Sequence, residues 1–122
     1  MILADTSVWI DHFRKANPQL QDLLIASRVI IHPFIIGELA CGNLKNRKQI
    51  LEDLGTLPQA ALATYEEVIH IIETNRLWGE GIGWTDAHLT ASALLSNCFF
   101  WTLDTALQRA AAKAGARLSP AS

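Results

Sequence analysis

Met1-Ile-Leu-Ala-Asp5-Thr-Ser-Val-Trp-Ile-Asp11 opens the chain, and the reading of these eleven residues decides the fold. The apolar run 1–4 is long enough for a short strand and stops at a carboxylate. Thr6 and Ser7 then offer caps for a helix carrying Val8, Trp9, Ile10 and Phe13. Strand, acidic turn and helix in this order begin an α/β domain. They leave Asp5 at the carboxyl end of a strand, where open α/β sheets place their ligands.

The same alternation continues outward. Asn17-Pro18 starts a second helix over 17–26, and Arg28-Val29-Ile30-Ile31 reads as a strand. Pro33 opens a helix with Glu38 in its early turns, and residues 45–54 continue helically to Gly55, a C-terminal cap position. After the irregular Thr56-Leu57-Pro58, Thr64-Tyr65-Glu66-Glu67 has capping-box spacing and leads into Val68, Ile69, Ile71, Ile72 and Leu77. The stretch 78–83 interrupts that helix, Thr85-Asp86 begins an alanine- and leucine-rich one through Leu95, and Cys98-Phe99-Phe100-Trp101 is a compact buried strand. Asp104 follows it, then a helix over 105–114, Gly115, and a short final strand over 116–118. Strands alternating with helices predict an α/β sandwich around a mainly parallel sheet. No repeat or linker divides it, so residues 1–122 read as a single domain.

Composition narrows the function. Half the residues are apolar and 18% are charged, which a packed core requires and disorder does not. Ten Lys+Arg against twelve Asp+Glu give a net charge of −2, excluding a globally basic nucleic-acid binder. Phosphates would have to meet a local patch, either Lys45, Arg47 and Lys48 or Arg14 and Lys15. Asp5 breaks the opening before a signal sequence forms, and no segment supplies the ~18 apolar residues of a membrane span. A soluble, cytoplasmic protein is expected. Cys41 and Cys98 lack CxxC spacing and read as buried thiols, while the histidines at 12, 32, 70 and 88 share no ligand spacing.

Four carboxylates stand at element boundaries: Asp5, Glu38, Asp86 and Asp104. Taken singly, each is readily a helix cap or a surface charge. If the four converge, each pair of like charges repels by roughly 1 to 4 kcal/mol, and a cation is the natural compensation. Carboxylate oxygens are hard ligands, so Mg2+ or Mn2+ is expected and zinc is disfavoured.

The surroundings of these acids carry a family resemblance. The opening eleven residues resemble the first motif of PIN domains of the VapC family, in which an apolar strand delivers an Asp followed by Thr/Ser and Ser/Asn. Pro33-Phe-Ile-Ile-Gly-Glu-Leu-Ala40 resembles the second motif, Gly83-Trp-Thr-Asp-Ala-His-Leu-Thr-Ala91 the third, and Trp101-Thr-Leu-Asp104 the fourth. They occur in family order over residues 1–104. The resemblance implies a three-layer α/β/α fold and a metal-dependent endoribonuclease, the toxin of a VapBC-type toxin–antitoxin pair. It implies that Asp5 and Asp86 are the most direct metal ligands, that Glu38 and Asp104 complete the set partly through water, and that Ser7 and Thr102 orient ligands or water. Ala106 stands where some relatives carry a further acid, which bears on the number of ions held. An RNA substrate, a VapB-like antitoxin and a homodimer are implied in the same way.

Rival readings lack their residues. A receiver-like binding module needs an acceptor Asp after its third strand, where Leu57-Pro58-Gln59 offers none. A haloacid-dehalogenase-like phosphatase needs Asp-x-Asp at the first strand, and Ser7 occupies the second position. A catalytically silent PIN scaffold would have no reason to keep all four acids. The three glycines between Trp78 and Trp84 lack the lysine of a phosphate loop and read as a flexible rim beside Asp86.

Overall fold

The strand Ile2–Ala4 (β1) lies inside a four-stranded sheet, and Leu3 and Ala4 are fully buried, as a strand covered on both faces requires. The computed structural model describes residues 1–119, so 120–122 of the domain expected over 1–122 lie outside the described part. The chain runs from β1 through α1 (Thr6–Lys15) and α2 (Pro18–Ile25) to β2 (Val29–Ile30). It continues through α3 (Pro33–Ala40), α4 (Arg47–Leu54), α5 (Tyr65–Asn75) and α6 (Trp84–Leu95) to β3 (Phe99–Trp101). The last unit is α7 (Thr105–Lys113) followed by β4 (Arg117–Leu118).

The sheet has the order β2-β1-β3-β4 and is parallel throughout. Leu3 stands opposite Ile30 on one side and Phe100 on the other, and Ala4 opposite Trp101. The first crossover leaves β1 in one direction, and the later ones travel back past it the other way. Right-handed crossovers therefore send their helices to opposite faces, giving the three layers α/β/α. The reversal falls at β1, so the residue after it occupies the topological switch point of the sheet. That residue is Asp5. Beyond β2, Ile31 bridges to Gln59, its N–H reaching Pro58 O at 2.9 Å while Ala60 N reaches Ile31 O at 2.8 Å; the irregular 58–60 stretch thus covers the sheet edge.

The main core joins Trp9, Leu20, Ile31, Ile35, Leu89 and Leu107 around Phe100 and Trp101 of β3. Truncating an aromatic ring in such a core typically costs ~3–5 kcal/mol. Seven consecutive residues of α6, Ala87 to Ala93, are buried, and the small side chains of Ala87 and Ala91 let α5 pack closely through Val68. Among the described residues no helix is long and apolar enough to cross a membrane.

Several boundaries differ from the sequence reading. Asp5 itself, rather than Thr6 or Ser7, is the cap of α1. The helix expected over 45–54 begins at Arg47, because Asn46 adopts a left-handed conformation at φ 54. The helix expected to reach Leu77 ends at Asn75, where Arg76 turns left-handed at φ 53 and the Leu77 amide closes back on Ile72 O at 3.0 Å. Cys98 is buried as expected, but Cys41 is exposed at the end of α3.

Candidate active site

Asp5 is 4% exposed, and neutral donors surround its carboxylate. Oδ1 accepts the Ser7 and Val8 amides at 3.0 and 3.4 Å together with the Ser7 hydroxyl, and Oδ2 accepts the Thr102 hydroxyl at 2.6 Å. Burial pushes this carboxyl above its ordinary pKa, and the hydrogen bonds from Ser7, Thr102 and the Val8 amide pull it part of the way back. Ser7 Oγ and Thr102 Oγ1 also receive the backbone of the β3–α7 turn: Leu103 N reaches Ser7 at 3.0 Å and Asp104 N reaches Thr102 at 3.0 Å. Two hydroxyls thereby lock the end of β1 to the turn that carries Asp104.

Thr6 extends the set. Its hydroxyl donates to Glu38 Oε1 at 2.7 Å, tying the exposed carboxylate of α3 to the first residue of α1, directly after Asp5. The opening motif thus holds three site elements in three successive positions. Thr6 was legible only as a cap, since nothing in a linear sequence says which acid its hydroxyl meets.

Asp104 and Asp86 hold helix ends with one oxygen each. Asp104 Oδ1 accepts the Ala106 and Leu107 amides at 2.9 and 3.2 Å, and Asp86 Oδ2 accepts the Gly83 amide at 3.1 Å. Capping and ligation are compatible here, because the remaining oxygen of each has no partner among the described residues and the helix N-terminus favours an anion. The start of α6 meets α3 where the His88 ring lies 4.8 Å from that of Phe34, one helical turn before Glu38. The loop before α6 also passes the first turn of α7, since a Cβ at Gly81 would stand 3.5 Å from that of Ala106. Asp86 therefore lies on the element between those bearing Glu38 and Asp104, without a hydrogen bond to the other three acids.

Among the described residues no Lys or Arg pairs with any of the four, the ion pairs being Lys15–Asp11 at 3.4 Å and Lys113–Glu80 at 2.7 Å. No three His, Cys, Asp or Glu side chains among them are gathered tightly enough to hold a metal ion as they stand. The donor chemistry nevertheless fits a hard divalent cation: the groups are all oxygens, Asp5 is buried and faces neutral donors, and Asp86 and Asp104 each keep an oxygen without a partner among the described residues.

The remaining candidates divide. Arg14 and Lys45 line a groove of about 750 Å3 with Glu38, Ile10, Phe13 and Leu44. Arg47 is spent on Ala40 O, at 2.9 and 3.0 Å, and Lys15 on Asp11. Asp11 also accepts from Asn17 Nδ2 at 3.1 Å, a bond that joins α1 to the cap of α2. His88 is buried against Phe34 and Trp84.

A parallel α/β/α sheet with acids at its switch point is the architecture of a PIN domain, and the PIN-domain family model matches residues 2–113. The chain is 42% identical over 120 residues to Ribonuclease VapC32 of Mycobacterium tuberculosis, in two strains, covering 98% of this chain and 97% of the relative. It belongs to the VapC family of PIN-domain proteins. The crystal structure of FitAcB from Neisseria gonorrhoeae shares the fold, with a TM-score of 0.60 at 21% identity over 98% of each chain.

Proposed function

We propose that the chain is an endoribonuclease that hydrolyses phosphodiester bonds in cellular RNA, acting in the cytoplasm as the toxin of a VapBC-type toxin–antitoxin pair. The observation that carries this reading is the buried Asp5 carboxylate, fixed by Ser7 and Thr102 to the turn bearing Asp104 and joined through Thr6 to Glu38. Identity of 42% to a protein named a ribonuclease supports it.

Asp5, Glu38, Asp86 and Asp104 are the catalytic and metal-holding residues, with Mg2+ the cofactor and Mn2+ the alternative. A bound ion supplies a more acidic water and offsets charge on the leaving oxygen. The chain's own residues hold that arrangement still. Ser7 and Thr102 keep both Asp5 oxygens aimed, Thr6 restrains Glu38, and the capping bonds of Asp86 and Asp104 leave one oxygen of each for ligation. Hydrolysis on this plan needs no covalent intermediate.

The 750 Å3 groove is the seat for a VapB-like antitoxin. Val8, Ile35 and Leu39 belong to the core, so the apolar surface open to an amphipathic partner helix comes from Ile10 and Phe13, with Leu44 and Ile50. An Arg or Lys on that partner would reach Glu38 at the groove end. A homodimer places two such sites along one RNA path.

Asp5→Asn tests the reading. It keeps the fold and lowers RNA cleavage by at least ~100-fold, and EDTA abolishes cleavage by the wild type. Unchanged cleavage by Asp5→Asn, or full activity in EDTA, overturns the assignment. In cells, expression alone arrests growth, the adjacent small reading frame relieves the arrest, and Asp86→Asn removes it.

A further inference from the structure

Between α5 and α6 the loop 76–83 returns over the small cluster of Val68, Ala87 and Ala91 and leaves a cavity of about 170 Å3. It is lined by Trp78 and Trp84 together with Ile72, Leu77, Ile82 and Ala87. Neither indole is buried: Trp78 is 60% and Trp84 42% exposed, unusual for the largest apolar side chain. Trp84 is nonetheless held in place, edge-on to His88 at 4.7 Å between ring centroids and tilted against Tyr65 at 5.5 Å. The loop carrying Trp78, expected from its glycines to be a flexible rim, is instead tied down at both its start and its middle. Gly79 and Gly81 take φ 72 and 80, conformations that L residues rarely adopt, and Lys113 of α7 clamps the loop by donating to Glu80 at 2.7 Å and to Arg76 O at 3.0 Å.

The cavity has room for roughly five or six waters at liquid volume, well below the ~300 Å3 where drug-sized pockets begin. A partner helix, ~10 Å across, does not fit. One flat ring system does. Among the described residues no Lys, Arg, Asp or Glu lines the space, so its occupant is neutral where it is enclosed. Its rim touches the candidate site directly, because Gly83 of the lining donates its amide to Asp86 at 3.1 Å. We infer that this cavity receives an unpaired nucleobase of the RNA strand, next to the phosphodiester presented to the acids. The inference rests on the nuclease reading and adds how that site selects its substrate. Indoles stack on any base, so the pocket requires a strand free of pairing rather than a particular base.

The test compares two fluorescein-labelled probes of equal charge, a twelve-nucleotide oligo(A) and the same length of abasic ribose-phosphate, in EDTA and with folding checked by circular dichroism. Trp78→Ala and Trp84→Ala each weaken oligo(A) binding by ~5- to 150-fold and leave abasic binding unchanged, while Trp84→Phe restores most of the loss. Equal losses on both probes, or no loss on either, overturn the inference. So does a change in self-association in these variants with oligo(A) binding intact, which would assign the cavity to a protein contact. Because binding is read without cleavage, the two readings fail separately. Base-dependent binding in a chain that never cleaves RNA would remove the nuclease and keep the cavity; cleavage lost in Asp5→Asn with both probes bound alike would do the reverse.

Discussion

The Thr102 hydroxyl donates to Asp5 Oδ2 at 2.6 Å and accepts the Asp104 amide at 3.0 Å, so one side chain aligns two acids nearly a whole chain apart. Thr102→Val keeps the shape and removes both bonds. It strands a buried carboxylate oxygen, which costs ~1–3 kcal/mol of stability. Cleavage and Mn2+ affinity fall by ~10- to 100-fold, and Thr102→Ser recovers most of both. Cleavage assays paired with titration calorimetry check this, and full activity in Thr102→Val would show that the alignment is not used.

Thr6 and Glu38 form a second such pair, this time exposed, at 2.7 Å. An exposed hydrogen bond contributes little to stability, so Thr6→Val changes the denaturation midpoint only slightly. Its effect lies in where Glu38 points. In a double-mutant cycle with Glu38→Gln, the losses in cleavage are less than additive, because Glu38→Gln already removes the carboxylate that Thr6 would hold. Strict additivity would mean that the two act independently.

Much of this site was legible in the sequence because its residues sit at strand ends and helix starts, which short-range rules locate well. Asp5 after an apolar run, Asn17-Pro18 and the Thr64–Glu67 box all form the local structures their spacing predicts, and the box closes with bonds of 2.9 and 3.1 Å. What was not legible depends on contacts between distant segments. The bond from Thr6 to Glu38 spans 32 residues, and Cys41 is exposed although Leu39, two residues earlier on α3, belongs to the core. The loop that bears Trp78 is likewise held by Lys113, 33 residues beyond Glu80, a contact that no local pattern announces.

His32 makes the chain sensitive to acid apart from its chemistry. Its Nδ1 accepts the Phe34 amide at 3.0 Å as the cap of α3, its Nε2 is buried without a partner among the described residues, and the residue is 1% exposed. Burial, reinforced by the nearby charge of His88, lowers its pKa from 6.5 to about 4. The unfolded chain therefore takes up a proton near pH 6.5 that the folded chain refuses. Stability is fully present above that value and is lost as the pH falls toward about 4, by no more than ~3 kcal/mol from this group. Burial also lowers the pKa of His88, which contributes in the same direction. His32→Asn keeps an acceptor for the Phe34 amide and removes the titration. Urea midpoints measured from pH 7 to pH 4 should then fall less steeply in the variant than in the wild type, with a residual slope from His88. Parallel curves over that window would show that His32 is protonated as easily in the folded chain as in the unfolded one.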